Sequence, residues 1–351
     1  MSKSRKRRNN GVRLALIFLC VILSVILIVI SGLGLYVNYL YGRMEFVGQD
    51  TTMSAEDAQD LLLGEAETID PDSTEEVVDQ DDITFLEGQV GKLEHGEHVV
   101  NIMLVGQDAR EGENVQRSDT MILLSFNTSK KTITLTSIMR DQYVKIPGYG
   151  QTKLNHAYQY GGMSLMNQTL EDHFGLEIHG NVEVNFTGFE KIIDHLGGVD
   201  IKLTKAEVKY LKSKGFSYVQ VGENRLPGDC ALWYARLRSI DTDYARAERQ
   251  RNVMMSLFEA YKDLSYTQML SLLHELLPLI KTNMTMSDIT GYAVDVYPML
   301  AEAEVQTLRI PVDGTFKGGF VKVSEGMKLW CQYNIDFEAN KAVLAEIFAE
   351  E

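Results

Sequence analysis

Between Leu14 and Tyr41 the chain carries no charged side chain over 28 residues. At a helical rise of about 1.5 Å per residue, such a run exceeds the roughly 30 Å of a bilayer's hydrocarbon core. Six basic residues and no acid precede it: Lys3, Arg5, Lys6, Arg7, Arg8 and Arg13. Basic flanks stay on the cytoplasmic side, so a single-pass anchor is expected. Residues 1–13 are then a cytoplasmic tail, 14–41 a transmembrane helix, and everything beyond Arg43 lies outside. A cleaved signal peptide is the rival, but its apolar stretch is about 7–15 residues and ends in small residues. Here the apolar stretch continues through Leu27-Ile-Val-Ile30, and Tyr36, Tyr39 and Tyr41 follow as interfacial anchors. The expected location is the cell membrane, with most of the chain extracytoplasmic.

Charge divides the outer part as well. Residues 45–98 hold seventeen acids against one base, Lys92. With few aromatics, residues 42–97 bury little apolar surface and are expected to form a largely mobile acidic stalk. Leu61-Leu62-Leu63 marks one short helix within it. Residues 98–351 show no internal repeat and no Gly/Ser linker, and are taken as one outer domain. Cys230 and Cys331 are either one disulfide or two buried thiols. The net charge of −15 argues against nucleic acid as a partner.

The outer domain alternates two periodicities. Short apolar or alternating runs predict strands at 99–105, 120–126, 132–136, 182–184, 199–203 and 305–310. Helical spacing predicts helices over 154–173, 186–196, 204–213, 246–263, 266–281, 286–300 and 337–348. Interleaved strands and helices argue an α/β fold, a three-layer α/β/α sandwich around a central mixed sheet.

Chemistry-bearing residues gather at the ends of these strands. Gly106-Gln-Asp108-Ala-Arg110 follows the first, Arg117-Ser-Asp119 opens the second, and Arg140-Asp141 ends the third. Whether these are one end of the sheet depends on strand direction. Downstream, Arg236, Arg238, Arg246, Arg249 and Arg251 fall within sixteen residues of an acidic chain. Alternation in Arg236-Leu-Arg238 suggests a strand presenting both guanidiniums on one face. Arg246 and Gln250 share a helical face. Guanidinium forks suit phosphate oxygens, and paired aspartates suit a divalent cation, so phosphoryl chemistry is indicated. Lys153, in Lys153-Leu-Asn-His156-Ala-Tyr158, adds a point charge, while His156 is expected to be packed or capping. No zinc-type spacing, GxxxxGK[ST] loop or GxSxG elbow is present.

In order along the chain, the blocks Asn101-Ile-Met-Leu-Val-Gly-Gln-Asp-Ala-Arg110, Arg117-Ser-Asp-Thr-Met121, Ser137-Ile-Met-Arg-Asp141, Lys153-Leu-Asn-His-Ala-Tyr158, Leu196-Gly-Gly-Val199 and Tyr234-Ala-Arg-Leu-Arg238 with Asp243-Tyr-Ala-Arg-Ala-Glu-Arg-Gln250 resemble the LytR–CpsA–Psr family. The likeness covers roughly residues 98–260. It implies a phosphotransferase that moves a glycopolymer, such as teichoic acid or capsule, from an undecaprenyl-pyrophosphate carrier to peptidoglycan. A deep apolar pocket for the lipid is implied too. By motif position Asp108 and Asp119 are the expected ligands of Mg²⁺ (or Mn²⁺), and Arg117, Arg140, Arg236, Arg238 and Arg246 the expected diphosphate contacts. Arg110, Lys153, Arg249 and Gln250 join these contacts as candidates. Arg117, Asp119, Arg140 and Asp141 form the expected catalytic group, with Asp119 or Asp141 as proton acceptor. Met139 stands where the family usually has proline, which is expected to loosen the loop before Arg140. Two alternatives use the same residues: a polyprenyl-pyrophosphate hydrolase, and a non-catalytic lipid or glycan binder in envelope regulation.

Overall fold

Alternation along one strand shows how the central sheet is buried. Between residues 99 and 105, Val99, Met103 and Val105 lie in one apolar core, whereas Val100 and Ile102 lie in another. A strand buried on both faces needs helices on both sides. The computed structural model describes residues 39, 42, 45–46, 52–70, 73–84, 91–93, 96–108, 117–237, 240, 242–262, 275, 277–300 and 302–350. The uncharged run, apart from Tyr39, lies outside them. Among the described residues no helix is long and apolar enough to cross a membrane. The chain divides into units 1–44 and 45–351, and the elements below belong to the second.

In chain order these are β1 (Glu45–Phe46), α1 (Ala55–Glu65), β2 (Glu67–Thr68), β3 (Val77–Val78), β4 (Val99–Asp108), β5 (Arg117–Asn127), β6 (Thr132–Ile138), β7 (Tyr143–Ile146), β8 (Gly150–Lys153), α2 (Asn155–Phe174), β9 (Gly180–Asn185), α3 (Phe186–His195), β10 (Val199–Leu203), α4 (Lys205–Ser213), β11 (Gly222–Leu226), α5 (Gly228–Ala235), α6 (Asp243–Lys262), β12 (Ile280–Thr282), α7 (Met286–Val296), β13 (Glu304–Ile310), β14 (Lys317–Ser324), β15 (Met327–Tyr333) and α8 (Phe337–Phe348). Among the described residues the main sheet is mixed, in the order β1-β12-β9-β4-β5-β6-β13. Met163, Met166 and Leu170 of α2 and Phe348 of α8 cover one face; Val296 of α7, with Phe258 of α6 beside it, covers the other. Each fully buried side chain of this size contributes roughly 1.5–3 kcal/mol. The helix expected over 266–281 lies largely outside the described residues, and its last residues instead enter β12. There Thr282 donates to the Asn181 carbonyl while β12 pairs with β9.

The acidic segment is not a free spacer over residues 53–70 and 73–83. Ser54 caps α1 by accepting from the Asp57 amide at 3.1 Å, and Ala58 and Leu62 of that helix are buried. The short helix expected at Leu61–Leu63 is therefore present, and it is docked. β2 adds to β15 and β3 adds to β14. Glu75 pairs with Lys328, and Asp79 with Lys322 at 3.4 Å. Acids that look like solvated charge in the sequence thus meet lysines some 250 residues away. Within α2, Gly161 and Gly162 interrupt the helix, Gly162 at φ +59°. Such a φ suits a residue with no Cβ. The interruption releases the Tyr160 carbonyl, which accepts from the Met53 amide at 2.7 Å. Cys230 and Cys331 are free buried thiols.

Candidate active site

Strand direction, which the sequence leaves open, brings Asp108, the Arg117–Asp119 pair and the Arg140–Asp141 pair to one end of the sheet. β4 and β5 are antiparallel, with Asp108 opposite Arg117. β5 and β6 are antiparallel as well, with Ile122 opposite Ser137, so Arg140 and Asp141 emerge at the same end. β9 runs parallel to β4, and Gln107 sits opposite Asn185. The register slips by one residue between Gly106–Thr120 and Gln107–Ser118, which leaves Asp119 as the extra residue of a β-bulge. A bulge bends the strand and re-aims the side chain it carries. Asp108 and Asp119 thus stand on neighbouring strands at the carboxyl edge of the sheet, where α/β folds place ligands. For Asp108, Arg117 and Asp119 only the backbone is described; Arg110 and Arg238 lie outside the described residues.

The β7–β8 hairpin completes this edge. Its turn contains Gly148 at φ +81° and Gly150 at φ +84°, and it pairs Tyr143 with Lys153. Lys153 Nζ thereby reaches Asp141 Oδ1 at 2.8 Å, while Arg140 Nε lies 3.3 Å from Oδ2. One buried carboxylate holds two cations. Both Asp141 oxygens are thereby engaged by cations, one by each. The backbone is tied equally firmly. The Asp141 carbonyl accepts from the Gln332 amide at 2.8 Å, and the Met139 amide donates to Ile310 at 2.9 Å. The second bond needs an N–H that proline lacks, so Met139 anchors the loop instead of loosening it.

Arg236 departs from the expected strand: it caps the C-terminus of α5. Its guanidinium is exposed and stacks on Phe186, 4.1 Å from the ring centroid. Phe186 directly follows β9, so this arginine stands beside the same sheet edge. The other described arginines of the run turn inward. Arg249 is 3 % exposed, donates to the Leu237 carbonyl at 2.6 Å, and meets Glu207 at 3.5 Å. Glu207 itself closes a capping box with Thr204 at the start of α4. Arg249 therefore staples α6 to the α5–α6 turn and to α4. Arg246 is buried too, and Gln250 is half-buried one helical turn on. Arg251 donates to Ser137 at 2.9 Å. Burial raises the Tyr210 phenol above its ordinary range, and the nearby positive charges of Arg236 and Arg249 oppose that rise.

Sequence reasoning missed a polar group under the edge. Gln107 donates to the Tyr158 hydroxyl at 2.5 Å and to the Glu183 carboxylate, and Tyr158 donates to Glu183 at 3.1 Å. All three are largely buried, and they fix the β4 end just before Asp108. The signal was a glutamate inside an apolar strand. His156 is fully buried, as expected of a packed histidine. It bridges Thr152 at 2.7 Å and Glu65 of α1 at 3.0 Å.

Comparison with known proteins places this geometry. The family model described as LytR_cpsA_psr matches residues 63–334. The chain is 38% identical over 184 residues to the polyisoprenyl-teichoic acid–peptidoglycan teichoic acid transferase TagT of Bacillus subtilis, and 40% identical over 176 residues to the transferase TagU of Oceanobacillus iheyensis. These alignments cover 50% and 48% of this chain and span 57% and 53% of those relatives. Among solved structures, TagT bound to LIIa-WTA matches with a TM-score of 0.59 at 26% identity, over 78% of this chain and 99% of that one. TagT with bound octaprenyl pyrophosphate matches at 0.54 and 26%, over 75% and 96%.

Proposed function

The chain belongs to the LytR–CpsA–Psr family, and we propose that it transfers a glycopolymer from a polyprenyl-pyrophosphate carrier to a hydroxyl of peptidoglycan. The observation that carries this reading is the convergence of Asp108, Asp119 and the Arg140–Asp141–Lys153 clamp at one sheet edge, beside exposed Arg236. An anionic diphosphate fits such an edge. In the proposed step the acceptor oxygen bonds to the polymer-linked phosphorus, and the bridging P–O bond breaks to release polyprenyl phosphate. Arg140, Lys153 and Arg236 hold the phosphate oxygens as their charge shifts. Both Asp141 oxygens are engaged, so Asp119 is the candidate acceptor for the hydroxyl proton. Asp108 and Asp119, two hard carboxylates on adjacent strands, suit Mg²⁺ or Mn²⁺. Such an ion supplies charge neutralisation to the diphosphate.

The same reading assigns the lipid to the apolar face beside this edge. On the α6–α7 face of the sheet, Leu104, Leu124, Phe126, Phe258 and Tyr292 are only partly buried against the core. The run Leu14–Tyr41 serves as the membrane anchor, which keeps the domain where the carrier lies. The test supplies full-length protein in detergent with a synthetic polyprenyl-diphosphate saccharide, Mg²⁺ and peptidoglycan glycan strands. A covalent saccharide–glycan product with release of polyprenyl monophosphate is expected. Release of free saccharide phosphate alone would assign a hydrolase instead.

A further inference from the structure

The β14–β15 hairpin has an inner and an outer face. Val321, Val323, Leu329 and Cys331 point inward to a core shared with Leu62, Ile83 and Tyr143. The alternate residues form the outer face, where Phe320 lies directly across from Trp330 and Gly318 across from Gln332. Trp330, the largest side chain of that face, is 40 % exposed. Its indole leans along the strand over Gly318: a Cβ there would come within 3.2 Å of Cζ2. The lean is toward the next rung, where Gln332 is held in place. Its amide is bonded to the Asp141 carbonyl, and its side chain donates to the Tyr244 hydroxyl at 3.0 Å. Tyr244 opens α6, two residues before Arg246, and carries the Arg309 guanidinium 4.2 Å from its ring centroid. One strand therefore carries both the exposed indole and the anchor of the clamp at Asp141. Two strand residues at about 3.4 Å each separate Trp330 from Gln332, close to the length of one or two sugar rings.

We propose that this outer face, centred on Trp330 with Gly318 as its floor, is a stacking subsite for a sugar ring of the glycan acceptor. It rests on the transferase reading for the identity of the glycan. An indole face attracts the C–H face of a pyranose, and the side chain missing at Gly318 lets the indole lie along the strand with its other face turned outward. An anionic membrane surface fits less well. Lys322 and Lys328, the cations of this face, are held by Asp79 and Glu75, and Lys328 also stacks on Phe320. A ring held on Trp330 extends the strand toward Asp141 and so presents its neighbour's hydroxyl to the phosphate.

The chain has two tryptophans, so Trp233→Phe leaves Trp330 as the sole indole reporter. Full-length Trp233→Phe protein in detergent, titrated with glycan-strand oligosaccharides released from peptidoglycan, should show a saturable change in indole emission. Trp330→Ala should raise the acceptor KM about fivefold to tenfold, the size of one aromatic contact, with kcat and the lipid-donor KM unchanged. Trp330→Tyr should recover most of the loss, which a folding defect would not allow. Unaltered emission at saturating oligosaccharide, or an unchanged acceptor KM in Trp330→Ala, overturns the subsite. Glycan binding at Trp330 without any polymer transfer would sink the transferase reading and leave the subsite standing.

Discussion

The two flanks of the site use positive charge differently. On the strand-end flank, Arg140 and Lys153 share one carboxylate, Asp141, and all three stay within reach of the sheet edge. On the helical flank, the arginines that most resemble a phosphate cradle in sequence are divided. Arg236 is exposed and stacked on a ring, while Arg249 and Arg251 direct donors to Leu237 and Ser137. Arginine density in a sequence is therefore not ligand density. A guanidinium satisfies several buried acceptors at once, and a turn between two helices leaves carbonyls that need such a donor.

The largest effect that tests this division is expected at Arg236. Arg236→Lys keeps the charge and loses the fork, so turnover should fall by ~10²–10³ with the melting temperature unchanged. Arg249→Lys should do the reverse. It loses a charge-assisted bond to a buried carbonyl, which costs about 1.5–3 kcal/mol, and the protein that stays folded should turn over near normally. Turnover and thermal melting measured on both variants decide the matter. A stable but inactive Arg249→Lys would erase the distinction between the flanks.

Next in size is the clamp itself. Asp141→Asn leaves Arg140 and Lys153 close together without their shared anion. Breaking a buried pair by removing one partner costs about 3–5 kcal/mol, and partial exposure of both cations brings the expected loss to the lower part of that range. The double variant Asp141→Asn with Lys153→Met should recover some of it, as a coupled pair requires. Additive losses in denaturant melts would show that the two side chains do not act as a unit.

Much of the strand side is legible in the sequence alone. Val99–Val105 and Thr132–Thr136 carry strand periodicity, and the structure extends them to Asp108 and Ile138. Strand direction is not legible, because nothing local says which end of β5 meets Asp108. The β7–β8 hairpin escapes periodicity although Pro147-Gly148 marks its turn; without it Lys153 looks like a loop residue rather than the partner of Asp141. Arg236 looks like a strand residue because three alternating residues cannot distinguish a pleat from a helix end, and buried Leu237 fits both. The acidic segment misleads for another reason. Its composition predicts solvation, yet its partners Lys322, Lys328 and His156 are far away in the sequence.

That docked segment gives a smaller test. Glu65 meets buried His156 at 3.0 Å, so Glu65→Ala should loosen α1 with a loss of about 1–2 kcal/mol. Limited proteolysis should then cut within residues 53–83 faster than in the unaltered protein, with later sites unaffected. Equal cleavage rates would return the segment to the role of a passive spacer.

The smallest expected effect concerns pH and lies away from both flanks. His173 near the end of α2 packs on Phe337, with ring centroids 4.8 Å apart, and donates to the Lys145 carbonyl at 2.9 Å. Burial lowers its proton affinity below the ordinary histidine value, although the Lys145 carbonyl and the charge of Asp172 oppose that shift. The folded protein thus binds this proton less tightly than the unfolded chain, whose histidine titrates near about 6.5. The unfolded state takes up more protons as the pH falls through that value, so stability rises with pH. Its contribution is complete above about pH 6.5 and is lost on acidification toward the lowered folded value. Glutamine keeps an amide donor for Lys145 and does not titrate. In His173→Gln, the drop in Tm between about pH 7.5 and about pH 5 should therefore be smaller than in the unaltered chain. An undiminished drop would place the acid sensitivity in the carboxylates, and a larger one would mean that protonated His173 stabilises the fold.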